Sequence, residues 1–138
     1  MSRVAYVNGR YGPKSEAAVH VEDRGYQFAD AVYEVWGVSG GHLMDYDGHM
    51  ARLERSLDEL RIRRPMTREA LTQVLRETVR RNRVVDGLVY LQISRGTAPR
   101  DHAFPSADTP PSVVVTAKSI SRARQEAAAS KGISVVTR

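Results

Sequence analysis

A phenol, a guanidinium and an imidazole stand at Tyr33, Arg100 and His102, and three such groups can jointly bind a carboxylate. An arginine offers a planar fork that meets two oxygens, while a tyrosine hydroxyl and an imidazole N–H each donate one further bond. If Pro99 to Ala103 is extended, Arg100 and His102 point the same way, because side chains alternate with period two. The spacing alone does not establish a site, and by itself it favours a solvated Arg-x-His pair and Tyr33 as a core aromatic. A fourth candidate is Arg52, one position before Leu53 in a helical pattern and so about 100° from the apolar stripe. There it can reach a phosphate at a sheet edge, or it is simply a surface arginine beside Glu54, Arg55, Asp58 and Glu59.

Other chemistries find less support. His20, His42, His49 and His102 lack metal-ligand spacing, the sequence has no cysteine, and no Gly-rich phosphate loop follows a strand. The run of arginines from Arg61 to Arg83 raises nucleic acid as a partner. Glu69, Glu77 and Asp86 interrupt it, and the interleaved aromatics that stack on single strands are missing. A solvated helical face is the better reading, with no nucleic-acid partner expected.

The elements that must position these groups read as an α+β fold. Val4 to Asn8, Arg10 to Ala17 and Ala18 to Val21 suggest short antiparallel strands parted by turns at Asn8-Gly9 and Gly12-Pro13, with a polar turn at Glu22 to Gly25. Ala31 to Val38 is aromatic and β-branched. Its alternation puts Tyr33, Val35 and Gly37 on one face, and Val32, Glu34, Trp36 and Val38 on the other. Gly40-Gly41 leads to a short strand, His42 to Met44. Asp47 then caps a helix with apolar positions Met50, Leu53, Leu57 and Leu60, and Thr67 caps a second with Leu71, Val74, Leu75 and Val79. Gly87 to Ser94 and Ser112 to Lys118 are strands, the latter apolar enough for burial on both faces. The long Pro- and Gly-containing loop between them holds Arg100 and His102. Ser119 to Lys131 reads as a connector or short helix, and Ile133 to Val136 as a last strand. The whole is an antiparallel sheet with two consecutive helices on it.

The chain has 138 residues, with 21 Lys+Arg against 16 Asp+Glu, a formal charge of +5. That length supports one domain, with part of a second, without a metal or disulfide staple. No stretch approaches the ~18 consecutive apolar residues of a membrane span, so no membrane partner is expected and a cytoplasmic location is. Lysine is scarce, with Lys14, Lys118 and Lys131 alone.

Three segments together carry a resemblance: EDRGYQFADAVYEV (Glu22 to Val35), HMARLERSLDEL (His49 to Leu60) and SRGTAPRDHAFP (Ser94 to Pro105). In this order they resemble the D-amino-acid aminotransferases, a branch of the fold-type IV, class IV enzymes that depend on pyridoxal 5'-phosphate (PLP). The PR-H segment separates that branch from the branched-chain aminotransferases and aminodeoxychorismate lyases. The resemblance implies the small N-terminal α+β domain of that fold, with Arg52 holding the cofactor phosphate. It implies that Tyr33, Arg100 and His102 trap the α-carboxylate of a D-amino acid or 2-oxo acid substrate, with Arg100 and His102 contributed across a homodimer interface. Ala31 stands where the family often has Gly.

The family's Schiff-base lysine follows a downstream motif that this sequence does not reach. Lys14, Lys118 and Lys131 match none of its context, so no catalytic residue is assigned here and the lysine is expected beyond Arg138. The resemblance therefore implies residues 1–120 as the small domain and 121–138 as a connector and first strand of a PLP-binding domain. It implies a fragment, inactive alone, of a D-amino-acid transaminase acting on D-alanine and 2-oxoglutarate. Alternatives are an aminodeoxychorismate lyase or amine transaminase of the same fold and, more remotely, a nucleic-acid-binding module.

Overall fold

Alternating side chains along β3 (Ala31–Ser39) divide the fold into a dry and a wet layer. Val32, Glu34, Trp36 and Val38 are buried, while Tyr33 between them is exposed, as period two requires of a sheet covered on one face. The computed structural model describes residues 4–137; Arg138, where the sequence reading ends, lies outside them. The strands β1 (Val4–Val7), β2 (Arg10–Pro13), β3, β4 (His42–Leu43), β5 (Gly87–Ser94) and β6 (Ser112–Ser119) form one antiparallel sheet. Its spatial order is β2-β1-β6-β5-β3-β4.

The helices α2 (Tyr46–Glu59) and α3 (Arg68–Arg81) cover the dry face. Met50, Leu53 and Leu57 of α2, with Leu71, Leu75 and Val79 of α3, meet Trp36, Val89, Leu91 and Val115 from the sheet. Each fully buried Leu contributes about 1.5–3 kcal/mol. The Thr67 hydroxyl accepts from Ala70 N at 3.3 Å and caps α3 as the sequence predicts. The register keeps Glu34, Leu91 and Val115 in one row, and Tyr33, Gln92 and Val114 in the next on the opposite face.

Several local expectations are corrected. Glu22 to Gly25 is not simply a turn: Asp23 accepts from Gly25 N at 2.9 Å and starts a short helix, α1 (Arg24–Phe28). Gly12-Pro13 lies inside β2, an edge strand, where a missing N–H costs no ladder bond. Ala18 to Val21 forms no strand and is exposed. Asp45, not Asp47, precedes α2, and Asp47 in the first turn pairs with Arg68 instead. β6 is buried on one face and half-buried on the other. Ser119 to Lys131 resolves into α4 (Arg122–Lys131), which buries none of its residues. Ile133 to Val136 forms no strand: these residues find no neighbouring strand to pair with, and Ile133, Val135 and Val136 are exposed. Among the described residues no helix is long and apolar enough to cross a membrane.

Candidate functional site

β4 pairs only with Val38 and Ser39, so the first half of β3 is a free sheet edge. Tyr33 projects there, 67% exposed, which rules out the core-aromatic reading. Its ring stacks on Tyr90, with centroids 5.9 Å apart and planes at 26°. The Tyr90 hydroxyl donates to Gln92 Oε1 at 2.6 Å, whereas the Tyr33 hydroxyl makes no hydrogen bond among the described residues.

One residue along, on the dry face, Glu34 is 1% exposed. A buried carboxylate demands partners, and Glu34 has two on α2. Arg52 donates Nε to Oε1 at 2.7 Å and Nη2 to Oε2 at 2.8 Å, and His49 Nδ1 lies 2.8 Å from Oε2. Burial pushes the Glu34 carboxyl upward, but the hydrogen bonds and charges of Arg52 and His49 outweigh it and leave the group below its ordinary value. Arg52 is pushed up by the Glu34 hydrogen bonds and charge, with burial opposing and Tyr33 adding to the shift. The fork assigned to a phosphate is already half used: one edge of the guanidinium grips Glu34, and Nη1 of the half-exposed side chain has no hydrogen-bond partner among the described residues.

Arg100 and His102 lie elsewhere, on the Phe28 ring of α1. The Arg100 Cζ is 5.2 Å from the ring centroid, and the His102 ring centroid is 5.6 Å from it. Both side chains are exposed, and neither has a hydrogen-bond partner among the described residues. Among the described residues no hydrogen bond or ring contact joins either to Tyr33. The structure thus brings Arg100 and His102 together, and holds Arg52 on Glu34 at the dry face of β3 and Tyr33 on its wet face, apart from that pair.

The Arg100 and His102 segment is anchored from beneath by charges that types and spacing did not single out. Arg24, 4% exposed, donates Nε to Asp30 Oδ2 at 2.8 Å and Nη1 to the carbonyls of Asp101 and Ala103 at 2.9 and 3.4 Å. Arg95 grips the same Asp30 at 2.7 and 3.0 Å and donates to the carbonyls of Arg61 and Leu60. Burial pushes Asp30 upward, yet the hydrogen bonds and charges of Arg95 and Arg24 hold it below its ordinary value. Glu34 could have been found in the sequence: a carboxylate in phase with Val32, Trp36 and Val38 must meet a cation. Arg24, Asp30 and Arg95 carry no such periodic signal, since their meeting is set by how the loop folds back. Among the described residues no group of histidines and carboxylates could hold a metal.

The class IV amino-transferase model matches residues 31–138. The chain belongs to that family. It is 42% identical over 130 residues to the D-alanine aminotransferase of Bacillus licheniformis, covering 94% of this chain and 45% of that protein. It is 38% identical over 117 residues to the D-alanine aminotransferase of Staphylococcus haemolyticus, covering 85% and 42%. Among solved structures, the branched-chain amino acid aminotransferase of Escherichia coli superposes with TM-score 0.79 at 20% identity, over 87% of this chain and 40% of that one. The 4-amino-4-deoxychorismate lyase of Pseudomonas aeruginosa gives TM-score 0.68 at 30% identity, over 83% and 39%. This class IV chain therefore has the fold-type IV aminotransferase architecture and spans less than half the length of the curated relatives it matches.

The residues fit one end of PLP. Glu34 fixes the Arg52 guanidinium through Nε and Nη2, with His49 Nδ1 3.5 Å from Nη2, and the half-exposed side chain keeps Nη1 as a donor that an anion such as a phosphate could use. Neither Lys14 nor Lys118 lies there: both line a 310 Å³ depression on the wet face with Val35, Leu88 and Tyr90.

Proposed function

We propose that the complete protein is a PLP-dependent D-amino-acid transaminase, moving the amino group of D-alanine or another D-amino acid to a 2-oxo acid such as 2-oxoglutarate. The observation that carries this reading is the Arg100 and His102 pair: two cationic or donor side chains, adjacent on one ring, with every hydrogen bond still to make. A substrate carboxylate satisfies that geometry. In this reading Arg100 supplies the fork, His102 a single bond and Tyr33 a third, while Arg52 holds the cofactor phosphate.

Because Tyr33 does not meet Arg100 or His102 within the chain, the trap is read as closing between two copies, Tyr33 from one and the pair from the other. The protein is accordingly a cytoplasmic homodimer in this proposal, with residues 1–120 as its small domain and 121–138 leading into a second. The 36–42% identity to D-alanine aminotransferases supports the substrate class. Bound PLP would act as an electron sink for the pair released when the Cα proton leaves. The chain's own part is orientation: a carboxylate fixed on one side presents the Cα–H of one enantiomer and misplaces that of the other.

The test is the visible spectrum of the full-length protein loaded with PLP. D-alanine should bleach the cofactor band and L-alanine should not. Bleaching by neither, with turnover of aminodeoxychorismate, would replace the transaminase by a lyase of the kind to which the chain is 30% identical.

A further inference from the structure

Arg24 is a buried cation that the proposed reaction does not touch. Two guanidinium groups, Arg24 and Arg95, share the single carboxylate of Asp30, which cannot satisfy all the N–H donors of both. A buried charge needs acceptors. Arg95 finds them at the end of α2, in the carbonyls of Leu60 and Arg61. Arg24 finds them in the loop itself, in the carbonyls of Asp101 and Ala103.

We propose that α1 is a positioning element for carboxylate binding: Arg24 pins the loop by two alternate carbonyls, and Phe28 is the platform on which the freed side chains rest. The inference depends on the reading of Arg100 and His102 as the carboxylate pair. The segment is not the extended run that alternation would need: it bends at Arg100, His102 and Ala103, and Asp101 Oδ1 accepts from Ala103 N at 3.1 Å. In a bent segment the side-chain directions are set by local anchors, and the two held carbonyls, one just before His102 and one just after it, restrain the backbone that carries His102 and follows Arg100. Arg24 and Phe28 are one helical turn apart, on one side of α1. The Phe28 ring consequently lies 4.7 Å from the Arg24 Cζ and 5.2 Å from the Arg100 Cζ, with the His102 ring 5.6 Å away. The one ring thus lies against the pinning cation and the binding cation both.

The alternative is that Arg24 only stabilises the fold. Lysine at this position keeps the charge and loses the planar fork that reaches Asp30 and two carbonyls at once. In the full-length holoenzyme, Arg24→Lys should raise KM for D-alanine roughly 10- to 100-fold while kcat changes about twofold or less, the pattern of lost uniform binding. The PLP absorption band should be unchanged. Hydrogen exchange should show residues 101–104 opening faster than in the wild type, with β5 and β6 unaffected. Wild-type KM together with a uniform rise in exchange would overturn the proposal and make Arg24 a structural residue.

Phe28→Leu, which spares the ion pairs, is the second variant and covers a failure of Arg24→Lys to fold. It should also raise KM, and an unchanged KM would remove the platform. Arg100→Ala is the control. If it leaves KM at the wild-type value, the carboxylate reading has failed; if it raises KM while Arg24→Lys does not, the positioning role has failed.

Discussion

At the scale of single residues, the Glu34 and Arg52 pair decides how a phosphate would be met. The Glu34 carboxyl lies below its ordinary value of 4.5, burial being outweighed by Arg52 and His49. The folded state therefore holds that proton more weakly than the unfolded state. The stabilisation is complete above about pH 4.5 and is lost as pH falls through the lower folded value. Glu34→Gln should cost about 1–3 kcal/mol near neutral pH, with the charge contribution discounted because Arg52 is half exposed. The gap between variant and wild type should then narrow toward about pH 3. Urea denaturation at the two pH values checks this, and a constant gap would show that the Glu34 charge is irrelevant to stability. On the other side of the site, Arg100→Ala removes a charged hydrogen bond of about 1.5–3 kcal/mol, so KM for D-alanine should rise roughly 10- to 150-fold in the full-length enzyme. Steady-state kinetics with an unchanged KM would take Arg100 out of the trap.

At the scale of elements, the loop between β5 and β6 is the part that depends most on tertiary structure. It leaves β5 through Gly96, whose φ is +107° and where a Cβ would stand 2.0 Å from the Pro110 carbonyl oxygen. Gly96→Ala should therefore cost more than the about 1–3 kcal/mol of backbone strain alone, visible as a drop in the urea midpoint. The Asp30 node explains why the loop then turns back. Asp30→Asn would leave Arg24 and Arg95 without their shared charge, a loss of about 3–5 kcal/mol for a buried pair, measurable in the same denaturation. Such features mark the limit of what could be read from the sequence. The stripes Met50, Leu53, Leu57 and Leu71, Leu75, Val79 were legible because each helix repeats its burial several times over, whereas Leu60, expected to continue the first, lies past the end of α2 and is exposed. β5 was legible from Gly87 to Ser94 because punctuation bounds it. Ala18 to Val21 and Ile133 to Val136 have the strand pattern, but a strand exists only through its neighbour. Tyr33, Arg52, Arg100 and His102 could be named from types and resemblance. The separation of Arg100 and His102 from Tyr33 and Arg52 could not, since it depends on how the loop folds onto α1 and on carbonyls that no side-chain pattern encodes.

At the scale of the whole molecule, the sheet is dry on the helix side and half open on the other, and its last strand is β6. Everything after Ser119 differs in kind. α4 has 10 residues and buries none of them, below the about 12–15 residues at which an isolated helix becomes even marginal in water. Ile133, Val135 and Val136 are 89%, 76% and 93% exposed, so their apolar surface adds nothing to the core. The cooperative unit should accordingly end with β6. Brief trypsin treatment of the 138-residue chain should cut first at Arg122, Arg124 and Lys131, while the arginines of α2 and α3 stay protected by helical structure packed on the sheet. Because exposed positions change stability by only about 0.5 kcal/mol, the trimmed product should unfold at nearly the same urea concentration as the parent. Cleavage beginning in α3, or a trimmed product that unfolds much earlier, would mean that residues 120–137 share in the core.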